Sequence, residues 1–307
     1  SNVICDINFS RKKINGYLYS NINLRSNLNA TVGFSYDAYD DRALIIDRFN
    51  PKLGLQWDML SNLRLRMAWF ETTKSALVAN QTLEPTQVAG FNQLFDDLNG
   101  TKARRMGIAF DTHIANTIFG GFELSRRDLK VPFQNIFVNQ RQYEIAFEEH
   151  QKENLYRTYL YWPINTEWVL RAEGQYEKFY RPRRDTDFGD ASQINTLSAP
   201  LSLSYFNTQG LFSSLIGTYV NQKIERENPS LIYENSTRQN EGKEGFFLVD
   251  AVLGFRLPKR RGIVSFEARN LLDEQFLYRN ANFYTSEATT PRFFPARTML
   301  LRLTLNY

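Results

Sequence analysis

Apolar side chains recur at every second position in segment after segment of this chain. No apolar run approaches the roughly eighteen residues that a membrane-spanning helix requires. The last segment shows the pattern most plainly. Counting back from the end, Tyr307, Leu305, Leu303, Leu301 and Met299 share one face, while Asn306, Thr304, Arg302 and Thr298 lie mostly on the other. A side-chain period of two is that of a β-strand. The apolar sets Leu28, Ala30, Val32, Phe34, Tyr36 and Phe247, Val249, Ala251, Leu253, Phe255 repeat it. Fourteen such strands are predicted, the first over Val3 to Phe9 and the second over Tyr17 to Leu24. Each has one apolar face that must be covered by something.

The connections point to lipid as the cover. Arg25-Ser26-Asn27, Ser61-Asn62, Ala115-Asn116, Pro163 to Thr166, Thr208-Gln209 and Lys259 to Gly262 are tight. Between them fall long stretches: Asp40 to Asn50, Lys74 to Thr101, Val131 to Glu149 (with a hairpin expected around Tyr143 to Phe147), Arg181 to Gln193, Glu225 to Glu244, and Leu271 to Phe294. Short and long alternate, apart from the first connection through Arg11, Lys12 and Lys13. Outer-membrane β-barrels have short periplasmic turns, long external loops and apolar-out, polar-in strands. The predicted fold is therefore all-β: an antiparallel transmembrane β-barrel of about fourteen strands, a single domain over residues 1–307, in the cell outer membrane of a Gram-negative bacterium.

Composition agrees. A mean hydropathy of −0.45 suits strands that meet lipid at alternate positions only. The 24 Phe, 16 Tyr and 4 Trp suit aromatic girdles at two interfaces. A charged residue on a lipid face near midplane costs about 2–4 kcal/mol. Arg64, Arg66, Arg105, Glu123, Arg171, Glu173, Asp250, Arg269 and Arg302 are thus expected to face the lumen. The 37 basic and 33 acidic residues are interleaved, with no basic block of the kind that binds nucleic acid. Cys5 stands alone, so no intrachain disulfide forms. Ser1 opens without a charged and apolar leader, and the chain is read as a mature chain or a fragment.

Several stretches resemble the C-terminal barrel of the TonB-dependent outer-membrane receptors. Tyr17 to Leu24 followed by Asn27 to Asp37 is similar to that family's strand, turn and strand, and Asn50-Pro51-Lys52-Leu53-Gly54-Leu55 to the start of its next strand. Phe70-Glu71-Thr72-Thr73-Lys74 and Leu83-Glu84-Pro85-Thr86 resemble its Phe-Arg-x-Pro and Asn-Leu-x-Pro-Glu region. Asn270-Leu271-Leu272-Asp273-Glu274 resembles its Asn-Leu-Phe-Asp segment, and Pro295-Ala296-Arg297-Thr298 its approach to the last strand. Thr73 stands where the family has Pro, and Gln87 to Asn92 departs from its pattern. The family's plug and energy-coupling box have no counterpart in this sequence.

The resemblance implies a receptor that takes up a scarce solute such as a siderophore, with the TonB complex engaged through an N-terminal segment absent from this sequence. The expected partners are outer-membrane lipid, a small-molecule ligand, and a barrel-assembly machinery that reads Leu301, Leu303, Leu305 and Tyr307. Leu83, Glu84, Gln87, Phe91, Asn92, Phe95 and Asp96, on the longest loop, are the candidate ligand contacts. A passive porin or polymer-export pore complete in itself is the alternative, and an outer-membrane hydrolase a more distant one. Asp111, His113 and Ser125 could form a triad fragment, but His113 sits beside a short turn, and a structural histidine is expected there. No metal-ligand spacing or nucleotide motif is present. Asp37, Asp40 and Asp41, or Asp96-Asp97, are read as solvated loop carboxylates rather than a calcium site. No cofactor is expected.

Overall fold

The computed structural model describes residues 12–40, 45–74, 84–94, 97–115, 117–134, 145–181, 192–225, 242–276, 278 and 297–305. Thirteen long strands form one antiparallel sheet in chain order: β1 (Lys12–Arg25), β2 (Leu28–Asp40), β3 (Ile45–Leu60), β4 (Leu63–Thr73), β7 (Lys102–Ile114), β8 (Ile118–Gln134), β9 (Ile145–Pro163), β10 (Trp168–Tyr180), β11 (Gln193–Phe206), β12 (Leu211–Glu225), β13 (Gly242–Leu257), β14 (Gly262–Arg269) and β15 (Thr298–Leu305). A separate two-stranded hairpin, β5 (Gln87–Val88) and β6 (Phe91–Asn92), lies in the longest connection. Thirteen of the fourteen expected strands are matched; the first, Val3 to Phe9, lies outside the described residues.

Register keeps apolar rows together. Tyr36, Phe34 and Val32 of β2 pair with Phe49, Pro51 and Leu53 of β3. Leu215, Gly217 and Tyr219 of β12 pair with Ala251, Val249 and Phe247 of β13. Val264, Phe266 and Ala268 pair with Leu303, Leu301 and Met299. Apart from Ala268, at 4%, these rows are solvent-accessible, with Leu301 at 78% and Leu215 at 55%. Most buried hydrophobics, among them Val88, Phe91, Phe70, Leu129 and Ile194, are away from those rows. The inside-out distribution is that of a sheet whose greasy face meets lipid.

The strands run past the segments in which alternation is visible. β8 has 17 residues and β9 has 19, against about 9–11 for a spanning strand. Asp40 to Asn50, expected as a loop, is mostly strand, with β3 beginning at Ile45. Residues 145–147 of the expected Tyr143 hairpin belong to β9. Beyond the apolar rows the outward positions turn polar, as at Arg126, Asp128 and Lys130 of β8, so the pattern that marks the strand in sequence stops while the ladder continues.

Asn270 and Asp273 set up the last crossing. Asn270 adopts φ 50°, a left-handed conformation that Asn tolerates better than most residues. Its amide brackets Glu274, accepting from the backbone N at 2.9 Å and donating to the backbone O at 2.9 Å, while its own N–H donates to Asp250 Oδ1 at 2.8 Å. Asp273 Oδ1 accepts the Arg297 N–H just before β15. The Asn-Leu-Leu-Asp stretch is thus a structural turn.

The chain divides into two compact units, residues 1–57, 65–108 and 126–152, and residues 58–64, 109–125 and 153–307.

Candidate functional site

In the first unit, the hairpin β5–β6 is fastened to the polar face of the sheet. Ala89 and Gly90, both at positive φ (48° and 84°), make the tight turn between its strands, as in the primed turns that match strand twist. Val88 (0%) and Phe91 (1%) are buried. Room for them comes from two glycines. A Cβ on Gly54 of β3 would stand 2.8 Å from the Ala89 Cβ, and one on Gly107 of β7 would run into the Phe91 ring. Arg66 of β4 lays its guanidinium over that ring, 5.3 Å from the centroid, and Arg105 Nη1 donates to the Asn92 carbonyl at 2.9 Å.

A buried polar knot locks the hairpin's base. Lys52, on the polar face of β3, has no exposed side-chain surface. Its ammonium pairs with Glu84 Oε1 at 2.9 Å and donates to Gln93 Oε1 at 2.6 Å and the Glu71 carbonyl at 2.8 Å. All three ammonium donors are thereby used. Tyr19 Oη donates to Glu84 at 2.5 Å, and Gln93 Nε2 donates to Tyr19 Oη and the Pro85 carbonyl. The Gln93 N–H donates to the Thr86 carbonyl at 2.8 Å. Beside the knot, Asn50 donates to Asp37 Oδ2 at 2.9 Å and accepts from Thr73, and Asn15 also donates to Asp37. Arg127 and Asp97, both buried, pair at 2.6 Å, next along β8 from an apolar cluster of Ala103, Leu129 and Val131.

Of the candidate ligand contacts, Glu84 and Phe91 are spent on this anchoring. Gln87 and Asn92 are exposed and hydrogen-bonded to each other at 2.9 Å. Leu83, Phe95 and Asp96 lie outside the described residues. Asp37 and Asp97, read from sequence as loop carboxylates, are buried, the first hydrogen-bonded by two Asn amides and the second paired with Arg127. Sequence inspection missed Lys52, Tyr19 and Gln93; a lone Lys on a polar strand face carries no mark of burial, because what buries it is a loop some forty residues away.

In the second unit the polar face carries a ladder of opposite charges. Glu173 is bound by Arg171, by Arg157 at 3.3 Å and by the Tyr161 hydroxyl at 2.8 Å. Arg171 and Arg157 lie over the Tyr161 and Tyr159 rings. Tyr159, in the space left by Gly121, donates to Asp111 at 2.5 Å. Glu267 pairs with Arg269 and Arg302, Arg64 with Asp58, and Asp250 holds Asn270; Glu123 is buried. Asp111 thus answers to a tyrosine, and the His113 ring lies 6.3 Å from that of Phe119, beside the short turn. Among the described residues no three His, Cys, Asp or Glu side chains converge as a metal site. Tyr307, the last of the assembly residues, is outside the described residues, while Leu301, Leu303 and Leu305 line the exposed apolar face of β15.

An antiparallel sheet in chain order, greasy on one face and charged on the other, is the architecture of an outer-membrane β-barrel. No family model matches the chain, and no curated protein matches it in sequence. Solved structures do match. The ferric-catecholate import receptor Fiu of Escherichia coli is 15% identical with a TM-score of 0.61, over 97% of this chain and 45% of its own. The ferric enterobactin receptor PfeA of Pseudomonas aeruginosa gives 17% and 0.63 over the same shares. The FrpB iron transporter of Neisseria meningitidis gives 16% and 0.64, over 96% and 46%. The chain thus has the barrel fold of these receptors and spans somewhat under half of their length. The neighbours are import receptors and a transporter rather than enzymes.

Proposed function

We propose that this chain is the C-terminal barrel portion of an outer-membrane receptor that imports a scarce solute in a TonB-dependent manner, a ferric siderophore being the first class to test. The observation that carries the proposal is the likeness of nearly the whole chain to iron-import receptors, with the strands in one unbroken order. The polar face with its paired charges lines the interior, and the long connections face outward. In this role the hairpin β5–β6 presents Gln87 and Asn92 to the solute, while Lys52 and Arg105 hold it in place.

Removing the whole loop is a poor test, since it strips Lys52 and Arg127 of their buried carboxylates. The double substitution Gln87→Ala and Asn92→Ala leaves both pairs intact. In cells grown on a panel of radiolabelled ferric siderophores, uptake of one of them is expected to require this protein and to fall at least tenfold in the double variant. Uptake of every siderophore unaffected by deleting the gene sinks the assignment of solute class; uptake dependent on the gene but indifferent to the double variant sinks the role of the hairpin tip.

A further inference from the structure

Cations gather on the wrong face of the first unit. Trp69 and Met67 of β4, and Met106 and Ile108 of β7, belong to the exposed apolar rows, and two positions further along the same face come Glu71 and then Arg104 and Lys102. On the neighbouring strands β8 and β9, the residues at outward positions beyond the apolar band include Arg126, Asp128, Lys130 and Lys152. Five cations thus stand with two carboxylates on a surface that lower down meets lipid. They are also arranged. Glu71, whose side chain is only 7% exposed, draws Lys102 to 2.7 Å and Arg104 to 2.8 Å, and the Arg104 guanidinium lies 5.9 Å from the Trp69 ring centroid. Arg126 is fixed by Asp128 at 2.7 Å.

We infer that this patch binds the phosphate groups of an outer-leaflet glycolipid whose acyl chains pack on the apolar rows beneath. The inference rests on the outer-membrane reading above. Position and charge select the ligand: cations at the edge of an apolar band sit at headgroup depth, where anionic groups attract them, and guanidinium forks accommodate phosphate oxygens two at a time. Ordering by Glu71, Trp69 and Asp128 lowers the entropy lost when the headgroup docks. Free phosphate would lack the acyl contacts.

The test uses the full-length protein extracted from outer membranes and washed free of loose lipid. Offered diphosphoryl lipid A or the same lipid with its phosphates removed, the protein is expected to retain the phosphorylated form at least tenfold better, as read by native mass spectrometry. The variant Arg104→Gln, Arg126→Gln, Lys130→Gln, Lys152→Gln is expected to lose that preference while keeping its heat-modifiable mobility on gels. Equal retention of the two lipids by the wild-type protein overturns the inference whether or not the variant folds. So does a folded variant that keeps the preference, or retention that inorganic phosphate alone abolishes. A wild-type protein missing from the outer-membrane fraction overturns the membrane assignment and this inference together; one that is present but blind to phosphate overturns this inference alone.

Discussion

Lys52 shows how much one side chain carries in this protein. It ties β3 to Glu84 and Gln93 of the loop and to the backbone of β4, and through Glu84 to Tyr19 of β1. A buried ion pair adds little over an apolar pair of equal volume, but removing one partner strands the other charge, at a cost of about 3–5 kcal/mol. Lys52→Met is therefore expected to lower unfolding stability in urea by that amount. Adding Glu84→Gln should restore most of it, because the neutral amide still accepts from Tyr19. A single-variant loss below about 1 kcal/mol would show that water reaches the ammonium, since solvent-screened pairs contribute no more than that. From the sequence, Lys52 read only as part of the Asn50 to Leu55 stretch that resembles the start of a strand. Its burial depends on Gly54 and Gly107 leaving space for Ala89 and Phe91, contacts between segments far apart in the chain.

At the level of the element, parity decides what a substitution does. Leu201 and Ser202 are adjacent on β11 and point to opposite faces; Leu201 is 53% exposed among apolar neighbours. If the apolar face meets lipid, Leu201→Arg is expected to cost about 2–4 kcal/mol in phospholipid vesicles, whereas Ser202→Arg costs less than about 1. Unfolding titrations of both variants check this, and equal costs would remove the basis for assigning the two faces. The same parity made the strands legible: thirteen appear where alternation placed them. What alternation hid was their length: β3 begins at Ile45 and β9 at Ile145, well before the segments that read as strands.

For the molecule as a whole, the chain spans about 45% of Fiu and PfeA, and receptors of this class close their barrels with about 22 strands around a plugged lumen. If the chain works as they do, the protein isolated from outer membranes should have a mass about twice the 35.9 kDa of this sequence. An intact mass near 35.9 kDa would instead support the pore reading, and bilayer recordings should then show ion conductance. The sequence by itself determined the strand order, the two faces and the turns, because each is a local property: a period of two, a pair of turn residues. Only the tertiary structure decided which charges are buried, that the longest loop folds a hairpin onto the polar face, and that Glu71 gathers Lys102 and Arg104 on the other. Those outcomes depend on the space and partners that distant strands supply, and no local pattern records them.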